Sequence, residues 1–327
     1  MRMPFVRHDA VRPRDAAIAL GVLILTLYAG PAPGETLTTV QKSGTEVMLL
    51  GVHMRDSRVG CAVGEGGVIL RTADGGKQWK AVSSGTRALL TAVFFADAQH
   101  GWVVGANGTI LHSMDGGLKW APQHSGIGSA LYGVFFWSPL VGWVVGGNGT
   151  ILHTEDGGLH WTDQASGTNA ILYAIHFVDQ DHGAASGALG TVLLTRDGGR
   201  TWVAQETQSA ATFFDVFFTD PQNGWVVGNA GAMLQTITGG ERWLDRTFPC
   251  MGSCVKPTDL IRVRFTDAKA GWVVGERGAI YRTADAGFSW VEQENGTKVS
   301  LYGLSFADAT RGWATGDRGV ILQINAK

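Results

Sequence analysis

The chain carries almost no net charge: 26 Lys and Arg stand against 28 Asp and Glu over 327 residues. Neither end holds a run of one sign, so the basic footprint that a phosphate backbone demands is missing and no nucleic-acid partner is expected. Cysteine is scarce, three residues in all. No second Cys or His pair lies at metal-ligand spacing from them, so no metal site is expected, and nothing in the sequence calls for a cofactor. Long apolar runs are scarce as well. Residues 16–29 form the one extended stretch, and it falls short of the roughly 20 apolar residues that a membrane span needs. Arg2, Arg7, Arg12 and Arg14 precede it and Gly30-Pro31-Ala32-Pro33-Gly34 follows. Basic residues, a short apolar core and small residues, in that order, make a secretory signal. Residues 1–34 are therefore expected to be a signal peptide or, if uncleaved, an N-terminal membrane anchor. Residues 35–327 would then form one exported domain.

Glycine and tryptophan are what the chain has in abundance, 47 and 12 residues. They fall in a repeated block, G-W-V-V-G-x-x-G-x-I-L-x-T-x-D-G-G-x-x-W. Its leading glycines are Gly60, Gly101, Gly142, Gly183, Gly224, Gly271 and Gly312, spaced by 41 residues except for one interval of 47. The long interval holds an insertion around Cys250-Met251-Gly252-Ser253-Cys254. Short apolar runs and glycine turns at a period of about 40–50 residues predict a β-propeller, one four-stranded blade per repeat. In the second repeat the expected strands are residues 89–95, 102–104, 109–113 and a fourth opening at Trp120. The last repeat ends after its third strand, whereas residues 36–42 match an outer strand without a blade of its own. Pairing the two closes a seven-bladed ring and removes its exposed edges.

Most residues that look chemical recur with the block. Asp74, Asp115, Asp156, Asp197 and Asp285 occupy the Asp box, S/T-x-D-x-G-x-x-W, while the fifth repeat has Thr238 there. Acid–base hydrolysis needs two carboxylates across one bond. Here they come one per repeat in equivalent hairpins, so they are read as turn caps. Eleven of the twelve tryptophans also sit at repeat positions, Trp137 being the exception. Cys61 replaces the tryptophan found at Trp102 and is read as a small buried hydrophobe. Cys250 and Cys254, close together in the inserted loop, are expected to form a disulfide staple, with half of a metal site as the rival.

The informative residues break the pattern. Nine positions before each leading glycine stand Gly51, Ala92, Gly133, Ala174, Asp215, Arg262 and Gly303. Small residues suit strands crowded around an axis, and Asp215 and Arg262 are the two departures. Two positions on stand His53, Phe94, Phe135, His176, Phe217, Arg264 and Ser305. Two readings follow: a binding site in the central channel, or an Asp215–Arg262 ion pair that plugs it. A second candidate surface is the face carrying the turns between second and third strands, with Arg277, Arg318 and Arg87.

With the block, its spacing and the Asp boxes laid out, the chain resembles the photosystem II stability/assembly factor family of BNR-like propellers over residues 36–327. That resemblance implies a seven-bladed, non-enzymatic assembly factor, exported to the periplasm or thylakoid lumen. It implies binding to a membrane protein complex or one of its subunits through an arginine-rich surface. Arg262, Arg264, Arg277, Arg318, Arg87 and Asp215 are the candidate partner-binding residues, and a monomer is expected. The alternatives are a sialidase-like Asp-box glycoside hydrolase and a carbohydrate-binding module, since those propellers share the Asp box.

Overall fold

The computed structural model describes residues 37–247 and 258–326. The N-terminal segment 1–34 and the Cys250–Cys254 staple expected from sequence lie outside the described residues. Seven four-stranded antiparallel sheets form a ring of blades. In blade 2 the strands run Leu90–Phe95, Gly101–Gly105, Ile110–Ser113 and Ala121–Gln123, from the axis outward. No helix among the described residues is long and apolar enough to cross a membrane.

The ring closes as the repeat requires. Strand Thr38–Gln41 pairs antiparallel with Ile321–Asn325, with Thr38 opposite Ile324 and Gln41 opposite Ile321. It thereby becomes the outer strand of the last blade. The side chain of Gln41 then reaches blade 1: its Nε2 donates to Gly75 O at 3.0 Å, and its Oε1 accepts from the Trp79 indole at 3.0 Å. The first described strand thus joins the last blade to the first through both backbone and side chain.

The block's composition follows from where each strand lies. The second strand of blade 2, Gly101–Gly105, is buried at every residue. It has a strand on each side and a neighbouring blade on each face, so an uninterrupted apolar run replaces the alternation of a one-sided sheet. Its leading glycine has no room for a side chain, because a Cβ on Gly101 would lie 2.5 Å from the Phe95 ring. Trp102 is fully buried and stacks on Phe136 of the next blade, ring centres 3.5 Å apart. Trp161 meets the same Phe136 edge-on at 5.9 Å. Truncating such a tryptophan typically costs about 3–5 kcal/mol, so the Trp102–Phe136 stack holds blade to blade, while Trp161 braces Phe136 from within its own blade. Cys61, in the tryptophan's place in blade 1, is wholly buried, and burial pushes its thiol up to about 12.

Candidate functional site

The recurring aspartates are occupied by their own hairpins. Asp115 Oδ1 accepts from the backbone N–H groups of Leu118 and Lys119 at 3.0 and 2.9 Å and from the Ser113 hydroxyl at 3.0 Å. Asp74 does the same with Gln78 N and the Thr72 hydroxyl, both at 3.0 Å. Asp156, Asp197 and Asp285 accept from His160 N, Thr201 N and Ser289 N, each at 2.9 Å. In blade 5 the Thr238 hydroxyl takes over and accepts Arg242 N–H at 3.0 Å. These bonds stabilise the charged form. The His160 backbone N–H is the largest cause that lowers Asp156 to about 2, and the Gln78 N–H is the largest that lowers Asp74. A general acid needs the opposite shift. Two left-handed residues after each aspartate complete the turn: Gly75 and Gly76 have φ of 76° and 85°, a region that costs a side chain dearly, and in blade 6 Ala286 takes the first place at φ 60°.

The inner strands carry the departures. The small residues are small because adjacent inner strands nearly touch: a Cβ on Gly51 would lie 3.1 Å from Ala92 Cα, and one on Gly133 would lie 3.1 Å from Ala174 Cα. Between blades 5 and 6 a side chain crosses instead. Asp215, almost wholly buried, accepts from Val263 N–H at 2.9 Å and from Arg264 Nη1 at 2.5 Å. The ion pair expected between Asp215 and Arg262 is therefore made by Arg264. Arg262 donates through Nη1 to the carbonyls of Phe214 and Ile261, at 3.1 and 3.0 Å. The reason lies in the strand. Arg262 and Arg264 share one face of Leu260–Phe265 and flank Val263. Asp215 Oδ2 takes the Val263 N–H and Arg264 Nη1 together, while carbonyl oxygens hold the Arg262 guanidinium. Arg264 also lies over the Phe217 ring at 5.6 Å.

His53, His176 and Ser305 stand where other blades carry phenylalanine, and each takes a backbone partner that the sequence does not reveal. His53 Nδ1 accepts Phe95 N–H at 2.8 Å, His176 Nδ1 accepts Phe218 N–H at 3.4 Å, and Ser305 Oγ accepts Met54 N–H at 2.9 Å. Each joins one blade's inner strand to the next. Burial first, and the nearby Arg264 charge second, lower His53 to about 4 and His176 to about 3. Both are therefore neutral at neutral pH. The signal was available, since all three replace phenylalanine at one repeat position. Five other histidines pack or pair locally: His112 stacks on Trp102 at 4.5 Å and His153 on Trp143 at 4.8 Å, while His100, His160 and His182 pair with Asp97, Asp156 and Asp179.

Arg277 and Arg318 are exposed at the centre of the turns between second and third strands. These turns lie against the loops that lead into the next inner strands, as Gly149 N–H donating to Ala170 O at 2.9 Å shows. Exposed Arg87, in the corresponding loop after blade 1, therefore shares their face. Both turn arginines hold the left-handed conformation, each at φ 55°, where a non-glycine residue is strained by roughly 1–2 kcal/mol. Each follows an acidic residue, Glu276 or Asp317, which limits the positive charge on this face. Arg262, near the start of its strand, lies toward this face. Arg264 lies deeper. Among the residues lining the channel, Asp215 is the one carboxylate.

Comparison with known proteins agrees with the ring architecture. The family model described as photosynthesis system II assembly factor YCF48 matches residues 77–163, 203–254 and 252–325. A search of curated proteins found no match. Among solved structures, YCF48 from Cyanidioschyzon merolae superposes with a TM-score of 0.73 at 21% identity, covering 89% of this chain and 99% of that one. A YCF48 bound to D1 peptide superposes at 0.74 with 18% identity, covering 91% and 97%. The GH74 xyloglucanase from Xanthomonas campestris superposes at 0.72 with 13% identity, over 89% of this chain and 54% of that enzyme. At such identities the superpositions show a shared fold.

Proposed function

This chain belongs to the photosynthesis system II assembly factor YCF48 family, and we propose that it is a non-enzymatic scaffold that docks on a photosystem-type membrane protein during assembly. The observation that carries the reading is family membership over most of the ring, together with a relative of the same fold bound to D1 peptide. The site chemistry favours docking over turnover. Asp215 stands in the channel without a second carboxylate among the lining residues, whereas glycoside hydrolysis uses two across the bond. The turn aspartates are held ionised by their own hairpins. We place the docking surface on the face carrying Arg277, Arg318 and Arg87, which are exposed and able to form bidentate bonds to carboxylates. Residues 1–34 support export, so docking would take place in the periplasm or a thylakoid lumen, with the ring free or tethered by an uncleaved anchor.

Binding of a fluorescent D1 peptide, followed by anisotropy at two salt concentrations, tests this. Saturable binding that weakens at least tenfold in Arg277→Glu/Arg318→Glu is the expected result. Binding unchanged by the double substitution would remove the docking face. Turnover of a glycoside panel, abolished by Asp215→Asn, would replace the scaffold reading with an enzyme.

A further inference from the structure

The central channel holds a set of polar groups that ring closure does not use up. Two guanidinium groups and one carboxylate line it, which leaves one positive charge uncompensated. Asp215 already accepts from Arg264 and from Val263 N–H. Arg262 donates only to carbonyl oxygens among the described residues. The Asp215 charge acts on it at longer range but is already bonded to Arg264, and a charge recessed in protein is ordinarily neutralised by a counter-charge of its own. His53 and His176 add donors. Each accepts a backbone N–H at Nδ1, so the neutral ring must carry its proton on Nε2, and both rings line the channel. No acceptor bonds either Nε2 among the described residues. The remaining wall is aromatic, through Phe94, Phe135 and Phe217.

We propose that the channel is a binding site for a monovalent carboxylate on a short apolar stem, its oxygens held by Arg262 and the free N–H groups of Arg264. The Nε2–H groups of His53 and His176 supply further donors, and the phenylalanines cover the stem. One uncompensated charge selects a monoanion over sulfate or phosphate. The planar fork of a guanidinium suits a carboxylate. The channel offers a cavity of about 340 Å³, enough for a small acid or the end of a peptide. The inference does not rest on docking to a membrane protein, and its test contains no partner.

Thermal melts of the full chain at fixed ionic strength would be recorded with butyrate, with sulfate, and with acetyl-trialanine bearing either a free or an amidated C-terminus. Butyrate is expected to raise Tm saturably and sulfate is not. The apparent affinity should fall at least tenfold in Arg262→Gln and stay unchanged in Arg242→Gln, an exposed arginine of the blade-5 hairpin. Arg262 is the chosen position because its loss leaves the Asp215–Arg264 pair intact. A response to the free-acid peptide alone, also lost in Arg262→Gln, identifies a chain-borne carboxylate as the ligand. Equal affinity in Arg262→Gln, no response to either carboxylate, or an equal response to sulfate overturns the proposal. Should Arg262→Gln fail to fold, NMR of the unsubstituted chain decides. Butyrate must shift the His53 and His176 Nε2–H resonances, and static resonances overturn the site.

Discussion

The hairpins at the rim and the inner strands at the axis treat their carboxylates in opposite ways. Asp115 sits half in solvent and caps a turn within its own blade, through partners no more than four residues away. Asp215 is buried at the axis and bonds two groups on the neighbouring blade, 48 and 49 residues along the chain. The first is a local device, copied wherever the turn is needed. The second is made once, because among the described inner strands only those of blades 5 and 6 place a carboxylate beside an arginine. Repetition marks what each blade needs to fold, and departures mark what the ring does as a whole.

Asp215→Ala should widen this contrast most. It leaves Arg264 recessed without its counter-charge and Val263 N–H without an acceptor, so a loss of about 3–5 kcal/mol in urea unfolding is expected. A loss under about 1 kcal/mol would mean that the crossing pair does not hold blades 5 and 6 together.

Acid should separate the two regions by pH window. His53 and His176 have folded values of about 4 and about 3, below the unfolded value near 6.5. Their contribution is complete above that unfolded value and drains away as pH falls from about 6.5 toward 4, because protonation removes the Nδ1 acceptor. His53 alone should account for a loss on the order of 2 kcal/mol by pH 4.5. The turn aspartates are also depressed, so their contribution persists to lower pH and is lost only below about 4. Urea midpoints at pH 7, 5.5 and 4.5 should fall less steeply in His53→Gln than in the parent chain. Parallel slopes would place the acid sensitivity elsewhere.

Asp115→Ala should cost less, about 1–2 kcal/mol, since it removes exposed hydrogen bonds from one hairpin. A loss matching that of Asp215→Ala would erase the distinction between rim and axis. The smallest effect is a gain. Arg318→Gly relieves the left-handed strain at φ 55°, partly offset by the extra freedom of the unfolded chain, for a net of about 0.5–1 kcal/mol. Higher stability together with weaker D1-peptide binding would show that this arginine is kept for its surface. Higher stability with unchanged binding would remove it from the docking face.

The architecture was legible because it is written seven times. A glycine that faces a phenylalanine ring and a tryptophan that stacks on the next blade impose their spacing on the chain, so the period reports blade size directly. Closure was legible too, from the unpaired strand around Thr38–Gln41. The ion pair was not. Repeat position puts Asp215 opposite Arg262, which ignores that carbonyl oxygens can hold the Arg262 guanidinium while Arg264 shares the carboxylate oxygen that takes Val263 N–H. The inter-blade role of His53, His176 and Ser305 was hidden for a related reason. Their partners are backbone N–H groups, which every residue type presents alike.

By itself, then, the sequence determined the number of blades, the order of their strands, how the ring closes and which aspartates belong to turns. These are properties of one repeat and its copies, set by periodicity and local turn chemistry. Which arginine neutralises Asp215, which is left to face the channel, and which side chains bridge adjacent inner strands were decided by the tertiary structure. Those outcomes depend on the reach of side chains between blades more than 40 residues apart, a distance that only the closed ring defines.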